Sequence, residues 1–149
     1  MAERKYFKDL IHEFIELFFF LKKLMLIPKI NATLNIQLYR WQINFIFFDK
    51  AIPAEILNSR ATGKTTARIL KVLLSEGNPL YFPSVGKMAF ITQEYYTRPQ
   101  SSIYRSYFDL YKYLGEELMT YRVFRYELKK TMKLLNSEGI KTRKLFFER

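Results

Sequence analysis

Gly63, Lys64 and Thr65 are the residues whose types and order could do chemistry. Glycine allows a tight backbone turn, lysine carries a mobile positive charge, and threonine adds a hydroxyl. The tripeptide follows a short apolar run, Ile52 to Leu57, and precedes a helical pattern over residues 66–74. Strand, loop and helix in that order make a phosphate-binding loop. Its backbone N–H groups cradle phosphate oxygens, and the positive end of the helix adds to the field. On this reading Lys64 reaches the β- and γ-phosphates of a nucleotide, and the Thr65 hydroxyl holds Mg²⁺. The usual pattern is G-x-x-x-x-G-K-[ST], and here Asn58 stands at its first glycine. Asparagine tolerates left-handed backbone better than most residues, so the departure is mild. The blander account is an ordinary helix N-terminus.

An arginine sits three residues before the glycine. Ser59-Arg60-Ala61-Thr62-Gly63-Lys64-Thr65-Thr66 resembles the variant Walker A motif of viral terminase large subunits, the ATPases that pump DNA into capsids, where it reads much like S-R-x-x-G-K-[ST]-T. Upstream, Leu38-Tyr39-Arg40-Trp41-Gln42 is similar to that family's adenine motif, L-x-x-[WYF]-Q. The resemblance spans residues 38–103. It implies an ATP site built from Gln42 and residues 59–66, with Mg²⁺ on Thr65 and with Lys64 and Arg60 as catalytic charges. Arg60 would stabilise the charge that develops on the γ-phosphoryl oxygens. Gln42 would read adenine through its primary amide, which can both donate and accept; the blander account is an exposed glutamine beside a packed tryptophan. The implied partner is double-stranded DNA, with a capsid portal or a second chain beside it. The implied location is the host cytoplasm or the virion.

The elements that must position these residues follow from composition and period. The chain has 149 residues, 49% of them hydrophobic, which is one domain or part of one with material for a core. There is no cysteine, which excludes disulfides, iron–sulfur clusters and thiolate zinc sites. The single histidine, His12, lies in a helical pattern and reads as a surface residue. The net charge of +11 favours a polyanionic partner. Residues 122–149 hold nine basic side chains against three acidic ones. Within them Lys129, Lys130, Lys133, Lys141 and Lys144 are the candidate contacts to nucleic-acid phosphates; a merely solvated face is the alternative.

Residues 5–27 read as one amphipathic helix closed by Pro28, because Ile11, Phe14, Phe18, Leu21 and Met25 recur at 3-4 spacing. The longest uncharged run, Leu17 to Leu21, is far short of a membrane span. A core or interface helix is the first reading, and a membrane-surface helix the second. This helix, residues 1–30, precedes a domain spanning residues 38–149. Residues 38–50 read as a helix with Trp41 and Gln42 in its first turn. Residues 54–57 read as the strand before the loop. In the helix after the loop, Ile69, Val72 and Leu73 face the core, and Arg68 and Lys71 face solvent. Residues 87–92 read as a second, parallel strand, and residues 101–114 as a helix in a tyrosine-rich stretch. Residues 116–125 fit helix or strand. Asn136-Ser137-Glu138-Gly139 reads as the turn of a β-hairpin between residues 132–135 and 140–147.

The expected fold is therefore α/β: a partial P-loop NTPase fold, with a parallel-strand core flanked by helices, preceded by a long N-terminal helix. A P-loop ATPase also needs a strand ending in an acidic pair, for Mg²⁺ and for the attacking water. Leu145-Phe146-Phe147-Glu148 is the nearest approach, with a single acid. The chain thus reads as the front half of an ATPase domain, turning over only when a partner supplies the missing acids. Two other classes compete with this reading. One is a helicase-like, nucleic-acid-dependent P-loop NTPase, against which Arg60 counts. The other is a non-catalytic, basic nucleic-acid-binding virion protein, for which the missing acids speak.

Overall fold

The computed structural model describes residues 2–59, 63–87 and 118–149. The described part is mostly helical, with one two-stranded parallel sheet. In chain order its elements are α1 (Ala2–Leu34), α2 (Arg40–Phe47), α3 (Ala54–Leu57), α4 (Lys64–Leu74), β1 (Leu80–Phe82), α5 (Leu118–Ser137) and β2 (Leu145–Phe147). The chain divides into two compact units, Met1–Tyr39 and Arg40–Arg149.

The first unit is α1 and the segment after it. The helix does not stop at Pro28, as the sequence pattern suggests, but runs through it to Leu34. A proline inside a helix removes one N–H donor and crowds the preceding turn, yet here the helix continues beyond it. The stop comes at Asn35, whose φ of 53° is left-handed. There the Ile36 N–H donates to the Asn31 carbonyl (3.0 Å) and the Asn35 N–H to the Ala32 carbonyl (3.4 Å). This pair of bonds is a Schellman cap, which satisfies the last carbonyls of a helix. Asn31 Oδ1 then accepts from the Leu38 N–H (3.2 Å) and holds the exit segment.

The second unit is built around α4. Its apolar residues recur on one face, so Ala67, Ile69, Leu70, Val72 and Leu73 are all buried. Each large side chain among them contributes about 1.5–3 kcal/mol by leaving water. Helix α4 packs against α2 and α5. Lys71 is not on an open face: its Nζ donates to the Phe45 carbonyl (2.7 Å), pairs with Asp49 (3.2 Å) and lies over the Phe45 ring. It therefore ties α4 to the end of α2. Helix α5 resolves the ambiguity over residues 116–125 from Leu118 onward, and Tyr121, Phe124, Leu128 and Leu135 form its buried stripe.

No hairpin forms around residue 139. Residues 132–135 belong to α5, and the turn signal is the helix's C-cap. Gly139 is left-handed, with φ 75°. Its N–H donates to the Asn136 carbonyl (3.1 Å), and the Ile140 N–H donates to the Leu135 carbonyl (2.9 Å). Leu135 and Ile140, both buried, supply the apolar contact typical of this cap. Chain reversal after a helix and a hairpin turn call for the same residues, which is why the pattern misleads.

Freed from the hairpin, residues 145–147 pair in parallel with β1, Leu80 opposite Leu145 and Phe82 opposite Phe147. The Phe82 and Phe147 rings stack at 5.3 Å. Strand β1 is only three residues between Pro79 and Pro83 and carries no periodic signal in the sequence. The expected strand over residues 87–92, from residue 88 onward, and the expected helix over 101–114 lie outside the described residues, as does the tyrosine-rich stretch.

Candidate nucleotide site

Helix α4 starts at Lys64, and Gly63 is its N-cap, with φ 81° and ψ 19°. The left-handed turn needs glycine, because a Cβ there crowds the following carbonyl. The first N–H groups of a helix have no intrahelical acceptor, and the macrodipole makes that end positive. Lys64, Thr65 and Thr66 supply these groups, with Thr65 exposed and Thr66 half-buried. Gly63 has no side chain and so makes no cap bond of its own at this end.

One long-range contact and one local contact converge on it. Gln42 is buried in α2, and its Nε2 donates to the Gly63 carbonyl across 3.0 Å. The same carbonyl accepts from the Ala67 N–H (3.0 Å). A Cβ on Gly63 would come within 2.5 Å of the Gln42 amide nitrogen. Lys64 turns back on the chain that leads into the loop: its Nζ donates to the carbonyls of Leu57 (2.9 Å) and Ser59 (2.5 Å). The side chain thus ties the start of α4 to the segment that precedes 60–62. Arg60, Ala61 and Thr62 lie outside the described residues.

The segment before the loop differs from expectation. Residues 54–57 form one helical turn, α3, where the loop reading calls for a strand. The Ile56 and Leu57 N–H groups both bond back to the Pro53 carbonyl, and the Asn58 N–H bonds to the Ala54 carbonyl. Alanine, glutamate and leucine favour helix, and Ile56 is the one β-branched residue among the four. Asn58 itself is right-handed (φ −91°), so it does not use the freedom that motivated its comparison with glycine.

Family models, curated proteins and solved structures were all compared with the chain. None matches.

The two regions proposed for ATP and for nucleic acid differ in how far the structure gathers them. Gln42, Gly63 and Lys64 meet through hydrogen bonds, and Ser59 is joined to them by its carbonyl. The lysines do not form one cluster. Lys129, Lys130 and Lys133 are on α5, and Lys129 lies over the Phe147 ring. Lys144 lies over the ring of Phe146, the neighbouring strand residue, whose side chain points to the other face of the sheet. Lys141 is exposed after the cap.

Glu148 follows β2 directly, and its neighbours are not legible from local sequence. The Tyr81 hydroxyl donates to Glu148 Oε2, and Lys87 Nζ lies 3.4 Å from the same oxygen. Arg125 donates to the Glu148 backbone carbonyl. The Tyr81 hydrogen bond, helped by the Lys87 charge, holds the Glu148 carboxyl below its ordinary value. The same hydrogen bond raises the Tyr81 phenol. Parallel pairing brings these residues together across more than sixty positions, so no spacing rule announces them. Among the described residues no group of three histidine, cysteine or acidic side chains is arranged to hold a metal ion. No described helix is long and apolar enough to cross a membrane.

Proposed function

We propose that the chain binds Mg·ATP at the N-terminus of α4 and belongs with DNA-packaging ATPases of the terminase type. The contact between the Gln42 amide and the Gly63 carbonyl carries this reading. It joins the two stretches on which the terminase resemblance rests, although 21 positions separate them. The residues fit a phosphate group: a left-handed glycine at a helix N-cap with no side chain to satisfy the first N–H donors, and an ammonium hydrogen-bonded to neutral carbonyls. Phosphate oxygens are stronger partners for an ammonium than carbonyls are. An incoming γ-phosphate would therefore draw Lys64 away from Leu57 and Ser59. Thr65 is the residue that would hold Mg²⁺ against the phosphates. Gln42 acquires a second task beyond adenine recognition, which is to set the carbonyl at the helix entrance. In this reading Arg60 completes the site by stabilising charge on the γ-phosphoryl group.

Turnover is proposed to need more than this chain. Glu148 is the acid at the end of a parallel strand, but it is engaged by Tyr81 and Lys87. That engagement also favours a second reading, a basic nucleic-acid-binding protein that keeps the loop without hydrolysis. In the first reading a partner chain supplies the acidic pair and duplex DNA is the object moved.

Calorimetric titration with Mg·ATP tests the nucleotide site. Lys64→Ala should weaken binding at least about tenfold, by removing one charge-assisted hydrogen bond, while leaving the thermal midpoint nearly unchanged. Equal affinity in the two proteins would remove the nucleotide reading. Steady-state ATPase assays with and without duplex DNA separate the two classes.

A further inference from the structure

We infer that α3 is a nucleotide-responsive switch, held in its helical turn by Lys64 and released when phosphate claims that lysine. The inference rests on the nucleotide reading of the α4 N-terminus and adds what binding there does to the chain beside it. Helix α3 has four residues and no buried side chain. Ala54, Glu55 and Leu57 are exposed and Ile56 is half-buried, so burial contributes little to its stability. A helix that short does not hold in water by its own hydrogen bonds, because nucleation costs more than a single turn returns.

The turn's far end is where Lys64 acts. The Asn58 N–H bonds back to the Ala54 carbonyl, and the Ser59 N–H and Oγ both donate to the Ile56 carbonyl. The last carbonyls of a helix have no partner within it. Lys64 Nζ meets the carbonyl of Leu57, the final residue of α3, and that of Ser59 just beyond. An ammonium is favoured at the negative C-terminal end of a helical turn and disfavoured at the positive N-terminal end. Lys64 is the first residue of α4, so its charge turns from the positive end of its own helix to the negative end of α3. A phosphate at the α4 entrance reverses that preference, because its oxygens offer the ammonium stronger, charge-assisted bonds. Phosphate and α3 therefore compete for one side chain.

Backbone NMR of the full chain reads the switch through the Cα shifts of residues 54–57. These should be helical in the nucleotide-free protein. Lys64→Met keeps the apolar stem and removes the charge. Without nucleotide it should lower the helical shifts of residues 54–57 by at least about half, while those of residues 67–74 stay as they are. Mg·ATP, added until calorimetry shows saturation, should lower the same shifts in the wild-type chain. That arm uses the unaltered protein, so it decides the matter even should the variant misfold. Unchanged shifts in a folded, nucleotide-free Lys64→Met would overturn the clamp on α3. Calorimetric binding of Mg·ATP with residues 54–57 still fully helical would overturn the switch and leave the nucleotide site standing. No binding at all would overturn the nucleotide reading, and the switch with it.

Discussion

Gly63 concentrates several demands on a single α-carbon. Its φ is left-handed, its carbonyl accepts from both Gln42 and Ala67, and the space beside it is filled by the Gln42 amide. Gly63→Ala should therefore cost about 1–2 kcal/mol of stability, from left-handed strain plus displacement of Gln42. Gln42→Ala in the same chain removes the obstacle but leaves the strain. The double variant should thus be less destabilised than the sum of the single variants, by more than about 0.5 kcal/mol. Urea unfolding of all four proteins measures this, and strict additivity would mean that the contact has no energetic content. This site is partly legible from residue types alone. Gly-Lys-Thr before a helical pattern marks the start of α4 within two residues. The bond from Gln42 is not legible, because nothing local reveals which carbonyl a buried amide finds.

At the scale of elements, strong periods can be read from the sequence and weak ones cannot. Helix α4 follows a single apolar face. Residues 54–57, 80–82 and 145–147 are too short for period to decide, and tertiary pairing settles the two strands instead. The consequence for the basic segment is specific. Lysines of α5 and lysines after the Gly139 cap sit on different elements, and Lys129 and Lys144 lie against rings on opposite faces of β2. A duplex laid along α5 should engage Lys129, Lys130 and Lys133 together. Replacing those three by alanine should reduce the slope of log affinity against log salt by about 2–3, near 0.9 for each phosphate no longer neutralised. Replacing Lys141 and Lys144 should change it by less than about 1. Fluorescence anisotropy on duplex DNA over a series of salt concentrations reads both slopes. Equal reductions from the two groups would show that no single face binds.

At the scale of the whole molecule, the Tyr81–Glu148 pair at the end of the sheet adds one pH-dependent contribution to stability. The folded Glu148 carboxyl is held below 4.5, so its contribution to stability is present above that value and lost as pH falls through the lowered folded one. The Tyr81 phenol is held above 10.0, so its contribution is present below that value and lost as pH rises through the raised one. Tyr81→Phe removes the shared hydrogen bond. It should flatten both limbs of the urea midpoint against pH while changing the plateau between them only modestly, because the pair is solvent-accessible. Unchanged limbs would place the titrating groups elsewhere.

The pairing of Leu80 with Leu145 also orders events in time. Helices α2 and α4 lie close in the chain and can dock within one short excursion. The sheet must instead gather a segment of about sixty residues before its first hydrogen bond forms, at a chain-entropy cost on the order of 4 kcal/mol. Closure that costly should follow the docking of the local helical pair. The helical pair should then act as the nucleus and the sheet as a latch that closes afterwards. Loosening the latch should hasten unfolding and leave the folding rate nearly untouched, which stopped-flow unfolding and refolding of a Phe147→Ala variant would read. Within the second unit, the region around Glu148 should accordingly be the first described part to exchange its amide protons and the last to protect them.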